Sequence, residues 1–238
     1  MTRNESLSKA TKDLMLKEPY YGFFLIMLNK LWDDKRVPTA GVSKMGINYQ
    51  LEINEEFWDK LPELHKLGIL KHELLHIAFG HLSMFFKFSD KKRANVAMDI
   101  ELNQYIEKGW LPGDEMTADQ FQQLVDSVKE KVKQGLEDGT MTQEQAEAEY
   151  EAIPPRGVLI EDYADKGWDI KAGSRYYYDK LKEAQDEKDQ KGTSGNPHLD
   201  KLLDSIQKGD TPDHSTWEEF DNLSEAEQKL LDKQVQKL

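Results

Sequence analysis

The chain has 238 residues, 45 acidic against 32 basic side chains, a formal charge of −13 and no cysteine. That length supports one large domain with appendages, and the lack of thiols excludes disulfides and thiolate metal ligands, so any zinc must be held by His, Asp or Glu. Net acidity opposes binding to nucleic-acid phosphates, and the densest basic run, Lys91-Lys92-Arg93, reads as a solvated helix start, so no nucleic-acid partner is expected.

The N-terminal stretch MTRNESLSKATKDLMLKEP lacks the apolar run of a signal peptide. Ser6 to Lys17 and Tyr20 to Leu31 read as helices parted by Pro19, the second strongly apolar and too short to span a bilayer, hence a core helix. A cytoplasmic protein without a membrane partner is the expectation. Thr39 to Lys44 and Asn48 to Ile53, with Gly41 and Gly46 around them and alternation in NYQLEIN, predict a β pair. Asn54 has the chemistry of an N-cap, and Phe57, Trp58 and Leu61 follow at helical spacing until Pro62.

The next predicted helix, Glu63 to Phe79 ended by Gly80, contains KHELLHIAFGH. In a helix His72 and His76 stand one turn apart on one face, so both imidazoles can reach a single Zn²⁺ while Glu73 addresses a metal-bound water. The apolar residues around them, from Leu64 and Leu67 to Ile77 and Phe79, imply burial on most sides. Buried polar groups need partners, and a metal serves all three where a purely structural histidine pair would not.

Arg93 to Lys108 is predicted helical and stops before the turn Leu111-Pro112-Gly113-Asp114. From Thr117 to Glu151 the chain is charged and Gln-rich, with a turn at Gly139 and a capping pattern from Thr142, which reads as a peripheral helical insertion near residues 115–153. Ser174 to Lys182 reads as a helix bearing Tyr176, Tyr177 and Tyr178, Lys188 to Pro197 as a mobile loop, Leu199 to Ile206 as a short helix and Ser224 to Leu238 as a polar terminal one. The expected organisation is one α+β domain over residues 1–220, mostly helical with a small β-sheet, and a helical tail over 221–238.

Catalytic zinc takes three protein ligands and keeps a position open, so a third ligand is owed. Asp99 is the leading choice, because it shares a helical face with Asn103 at i and i+4. His81 would sit about 140° around an unbroken helix from His76 and needs a sharp turn at Gly80 to approach. An imidazole capping carbonyls or orienting a neighbour is an equally good account of it. Glu101, on another face, is the reserve.

The segments HELLHIAFGHL, NVAMDIELNQYI, WLPGD, GSRYYYDKL and PDHSTW occur in an order that resembles the metallopeptidase domain often found ahead of a von Willebrand factor A-like domain in bacterial and phage proteins. The resemblance spans about Tyr20 to Trp217. The zinc motif is general to zincins, and the Asp-x-x-x-Asn and Asp-His-x-x-Trp elements are the more distinguishing ones. It implies a zincin-like fold, His72, Glu73 and His76 at the metal centre, Asp99 and Asn103 on the following helix, and Asp213-His214 near the site. No von Willebrand-type domain follows within these 238 residues, so a function supplied by one is not expected here.

The functional expectation is a zinc peptidase acting on peptide or protein substrates. His72, His76 and Asp99 would be its metal ligands and Glu73 its general base, with His214, or one of the three tyrosines, donating to the developing oxyanion. The tyrosines also fit ordinary groove packing. Substrate addition to a sheet edge would use Asn48 to Ile53. The rival is a catalytically silent, zinc-stabilised interaction module, against which Glu73 argues, since a structural site needs no carboxylate beside its first ligand. A DNA-associated protease would need a basic surface that the sequence lacks. Oligomeric state has no signal in the sequence.

Overall fold

Thr2 starts the first helix with a capping box, its hydroxyl accepting from Glu5 N–H and the Glu5 carboxylate accepting from Thr2 N–H. The computed structural model describes residues 1–45, 48–153, 156–209, 217 and 233. Among these, helix α1 (Arg3–Lys17) is followed by α2 (Pro19–Met27), with Pro19 at the first turn where its missing N–H costs nothing. At Gly22 a Cβ would lie 2.3 Å from Met15 Cα, so the glycine lets the two helices touch backbone to backbone.

The apolar Tyr20–Leu31 segment is not one helix. It stops at Met27, and Asn29–Trp32 forms β1, whose parallel pairing with β3 (Asn48–Ile53) satisfies backbone groups that further helix would have bonded internally. Nor is α2 wholly a core helix: Phe24 and Leu25 are buried, but Phe23 and Met27 are 60% and 68% exposed. Strand β2 (Ala40–Met45) pairs antiparallel with β3, giving the order β1-β3-β2, and the expected β pair is present. The central position of β3 corrects the expectation that Asn48 to Ile53 receives substrate as an added strand. Both of its edges are already paired, so among the described residues β1 and β2 are the strands that present a sheet edge.

Asn54 caps α3 (Glu55–Lys60) by accepting from Phe57 N–H, as its sequence position predicts. Helix α4 (Glu63–Ala78) carries the His-Glu-x-x-His motif and runs through the core, with Leu70, Leu74 and Leu75 fully buried, whereas Leu64 is half exposed. At Gly68 a Cβ would lie 2.0 Å from the carbonyl oxygen of Trp110, so this glycine admits the 110–112 segment against α4. Gly80, at φ +70°, then reverses the chain into the short helix α5 (His81–Met84) and a 3₁₀ turn, Phe85–Lys87.

Asp90 caps α6 (Lys91–Asn103), and nearly every residue from Ala94 to Asn103 is buried. This helix ends five residues short of Lys108, where turns lead into Gly109 at φ +85°. Helices α7 (Ala118–Glu137) and α8 (Gln143–Glu151), each begun by a threonine capping box, contact one another, with Gly135 against the Met141 side chain. A 3₁₀ segment, Ile160–Lys166, leads to α9 (Ser174–Lys191) and α10 (Pro197–Lys208).

Helix α9 packs on α6 and is nine residues longer than its periodicity suggests, ending at Gly192 with φ +82°. The stretch taken for a mobile loop is therefore half helix and half an anchored turn. Ser194 and Asn196 are buried, Asp200 binds the Ser194 amide and the Thr193 hydroxyl, and Asn196 caps α10. The architecture is mostly helical α+β with a small mixed sheet. No helix among the described residues is long and apolar enough to cross a membrane. The predicted terminal helix, Ser224 to Leu238, falls outside the described residues apart from Lys233.

Candidate metal centre

Helices α4 and α6 pack in the core and bring their polar faces together. His72 Nε2 and His76 Nε2 are 3.1 Å apart, and Asp99 Oδ1 lies 3.5 Å from the first and 3.3 Å from the second. Among the described residues, His72, His76 and Asp99 form a group whose ligand atoms all lie within 4.8 Å of one another, one imidazole part-buried and the other two side chains buried. Glu73 is 3% exposed and, with His72 and Asp99, faces a cavity of about 240 Å³.

One assignment of the ring protons satisfies every bond of this network. Glu101 Oε2 accepts the Ser174 amide and lies 3.2 Å from His81 Nε2, so His81 carries its proton there and offers a lone pair at Nδ1. That lone pair faces His76 Nδ1 at 3.0 Å, so His76 donates from Nδ1 and turns a lone pair on Nε2 toward Asp99. On the other side Asn103 donates from Nδ2 to the Val158 carbonyl and presents Oδ1 to His72 Nδ1 at 2.9 Å, leaving His72 with a lone pair on Nε2.

Two imidazole lone pairs and a carboxylate thus converge in a buried space. Acceptors at these distances repel unless a cation lies among them. The residues therefore fit a divalent metal, and the two-nitrogen, one-carboxylate set is the open, three-ligand kind found in catalytic zinc sites. Each histidine's second nitrogen is fixed by a partner, the arrangement that holds metal-ligating imidazoles in orientation.

His81 reaches this network because the chain turns at Gly80, the condition the sequence set for its approach, yet it contacts His76 from behind and is outside the converging triad. Glu101 is likewise bound to His81 and to the start of α9, not to the triad. The tyrosines pack and anchor loops. Tyr177 is fully buried and donates to the Asp169 carbonyl, Tyr178 meets Ser89 and Asp90, and Tyr176 accepts from the Asp169 amide, so none lines the cavity. Burial raises the Tyr177 pKa, which keeps that phenol protonated. Asp213 and His214 lie outside the described residues.

In the sequence Trp217 stands out only as the last residue of the Asp-His-x-x-Trp element. It is fully buried, stacks edge-on against His76 at 4.9 Å and Phe85 at 5.3 Å, and donates from Nε1 to the Val42 carbonyl at 2.8 Å. It thereby links strand β2 to the back of the metal centre. The Val158 carbonyl and the Glu101–Ser174 bond were not anticipated, since no local pattern marks a backbone group that meets Asn103 or Glu101 from more than fifty residues away.

A groove of about 700 Å³ lies beyond Asn103 and Leu111, but its carboxylates serve structure. Asp114 accepts the Gly109 and Leu111 amides, and Asp162 pairs with Arg156, a guanidinium whose charge burial opposes but whose bonds to Asp162 raise its pKa overall. The smaller cavity is the one that His72, Glu73 and Asp99 line. No curated protein and no solved structure matches the chain. A family profile does, over residues 2–229, and with the metal-binding geometry in place the chain belongs to the family described as "Putative metallopeptidase domain".

Proposed function

We propose that the protein is a zinc-dependent peptidase of the cytoplasm that hydrolyses peptide or protein substrates. The observation that carries this reading is the convergence of the His72, His76 and Asp99 acceptors at the wall of a cavity that Glu73 also lines. When bound, zinc supplies Lewis acidity that lowers the pKa of water and polarises a carbonyl. His72 and His76 would hold the ion through Nε2 and Asp99 through its carboxylate, while Asn103 and His81 keep the two rings from turning.

Glu73 stands next in sequence to His72 and shares its cavity, so its carboxylate serves as the general base. It takes a proton from water as the new carbon–oxygen bond forms, then returns that proton to the leaving nitrogen as the carbon–nitrogen bond breaks. His214 is proposed as an oxyanion donor on the strength of the sequence alone.

The zinc-stabilised module remains the second reading, favoured by the burial of His76 and Asp99 between α4 and α6, where an ion also clamps the core. N-terminal profiling of a cell extract treated with zinc-loaded wild type and zinc-loaded Glu73→Gln separates the two. A peptidase generates new N-termini in the wild type only. Equal cleavage by both would remove Glu73 from the chemistry, and cleavage by neither would favour the module.

A further inference from the structure

Away from the metal centre the cavity beside Glu73 is mostly apolar, with Thr39 and Arg156 as its polar side chains. Ala40 comes from the start of β2, Phe57 from α3, Ile69 from α4, Leu111 and Pro112 from the loop after α6, and Val158 from the segment before the 3₁₀ turn. Phe57 and Ile69 are half-buried and belong neither to the hydrophobic core nor to the apolar side chains packed against it. Both line the cavity instead. Ile69 precedes Glu73 by one helical turn, so this wall and the general base lie on the same face of α4.

Among the described residues that line the cavity, Arg156 is the one lysine or arginine, and it is already committed. Arg156 is bound by the Asp162 carboxylate and by the carbonyls of Gly113 and Met116, which leaves it little capacity for an acidic ligand. At about 240 Å³ the cavity exceeds the roughly 150 Å³ apolar cavity that accommodates benzene, so a benzyl, isobutyl or thioether side chain fits without repacking. An open apolar recess of this size holds water that gains by release when such a group enters.

We propose that this cavity is the specificity pocket of the site, taking a large apolar side chain (Leu, Met or Phe) of the residue adjoining the scissile bond. The inference rests on the peptidase reading for its substrate, but the pocket's affinity for apolar groups is a property of the chain alone. Apolar side chains from five separate parts of the sequence line it, which is why no local motif announces it. Filling it from Ile69 reduces the space available, and cutting Phe57 back enlarges it.

Two measurements on the purified protein test this. Toluene titration followed by NMR should give saturable shifts confined to the Ile69, Leu111 and Val158 methyls, absent in Ile69→Trp. N-terminal profiling should show Leu, Met or Phe enriched at one position beside the cut, with at least a tenfold preference over Gly. Ile69→Trp should erase that preference, and Phe57→Ala should shift it toward larger aromatics. Toluene shifts that are absent, or unchanged in Ile69→Trp, would overturn the pocket whatever the enzyme does. Cleavage without side-chain preference, or with preference for charged residues, would overturn its role in specificity. Toluene binding without any cleavage would keep the apolar site and sink the peptidase reading together with the substrate role.

Discussion

Replacing His81 by alanine should weaken zinc binding although His81 is not a ligand. Its Nδ1 accepts the His76 Nδ1 proton at 3.0 Å, and both rings are essentially unexposed, so no water replaces the lost acceptor without entering the core. A buried donor left without its partner costs about 1–3 kcal/mol, and outer partners of ligating histidines are typically worth about 10- to 100-fold in metal affinity. At about 1.4 kcal/mol per tenfold the two figures agree, which sets the expected loss in zinc affinity at one to two decades. Asn103→Ala should cost less, because His72 is part-exposed and its cavity gives water access to Nδ1. His81→Asn should recover much of the loss, since its side-chain oxygen sits where Nδ1 was, even though the link to Glu101 is gone. Competitive chelator titration reads all three. Wild-type affinity in His81→Ala, or an Asn variant no better than Ala, would refute the proton assignment that turns the His76 Nε2 lone pair toward Asp99.

The other expectations are more direct. Asp99→Ala should abolish tight zinc binding, whereas Glu101→Ala, which touches the site only through His81, should reduce affinity by about tenfold or less, both read in the same titration. Gly68→Ala would place a methyl 2.0 Å from the Trp110 carbonyl oxygen, so calorimetry should show destabilisation of about 1–3 kcal/mol from overpacking, with the 110–112 wall of the pocket displaced. Zinc removal by chelator should lower the melting temperature in proportion to the logarithm of zinc concentration over its Kd, and a melting point indifferent to zinc would count against a site between α4 and α6. If His214 donates to the oxyanion, His214→Ala should lower kcat by about 10²-fold with zinc content unchanged, and loss of zinc would make it a ligand instead.

Much of the centre was legible because it depends on helical spacing. His72 and His76 are four residues apart, as are Asp99 and Asn103, and the structure places each pair on one helical face where those intervals put them. The β pair and the caps at Asn54 and Thr142 follow from equally local chemistry. Less legible was whatever depends on a distant partner. The sequence reads on as helix to Leu31, and pairing with β3 makes Asn29–Trp32 a strand instead. The length of α9 was hidden by its polar second half, whose Lys188 binds the Asp200 carbonyl and the Asp204 carboxylate of α10 and which ends at Gly192. His81 needed the reversal at Gly80, a geometry that the glycine permitted but did not by itself dictate.

Anomalous diffraction at the zinc edge from crystals of the zinc-loaded protein tests the central claim most directly. The account predicts one peak, bounded by His72 Nε2, His76 Nε2 and the Asp99 carboxylate and open to the cavity that Glu73 lines. A peak elsewhere, or no peak with the three side chains still converging on one another, would contradict it.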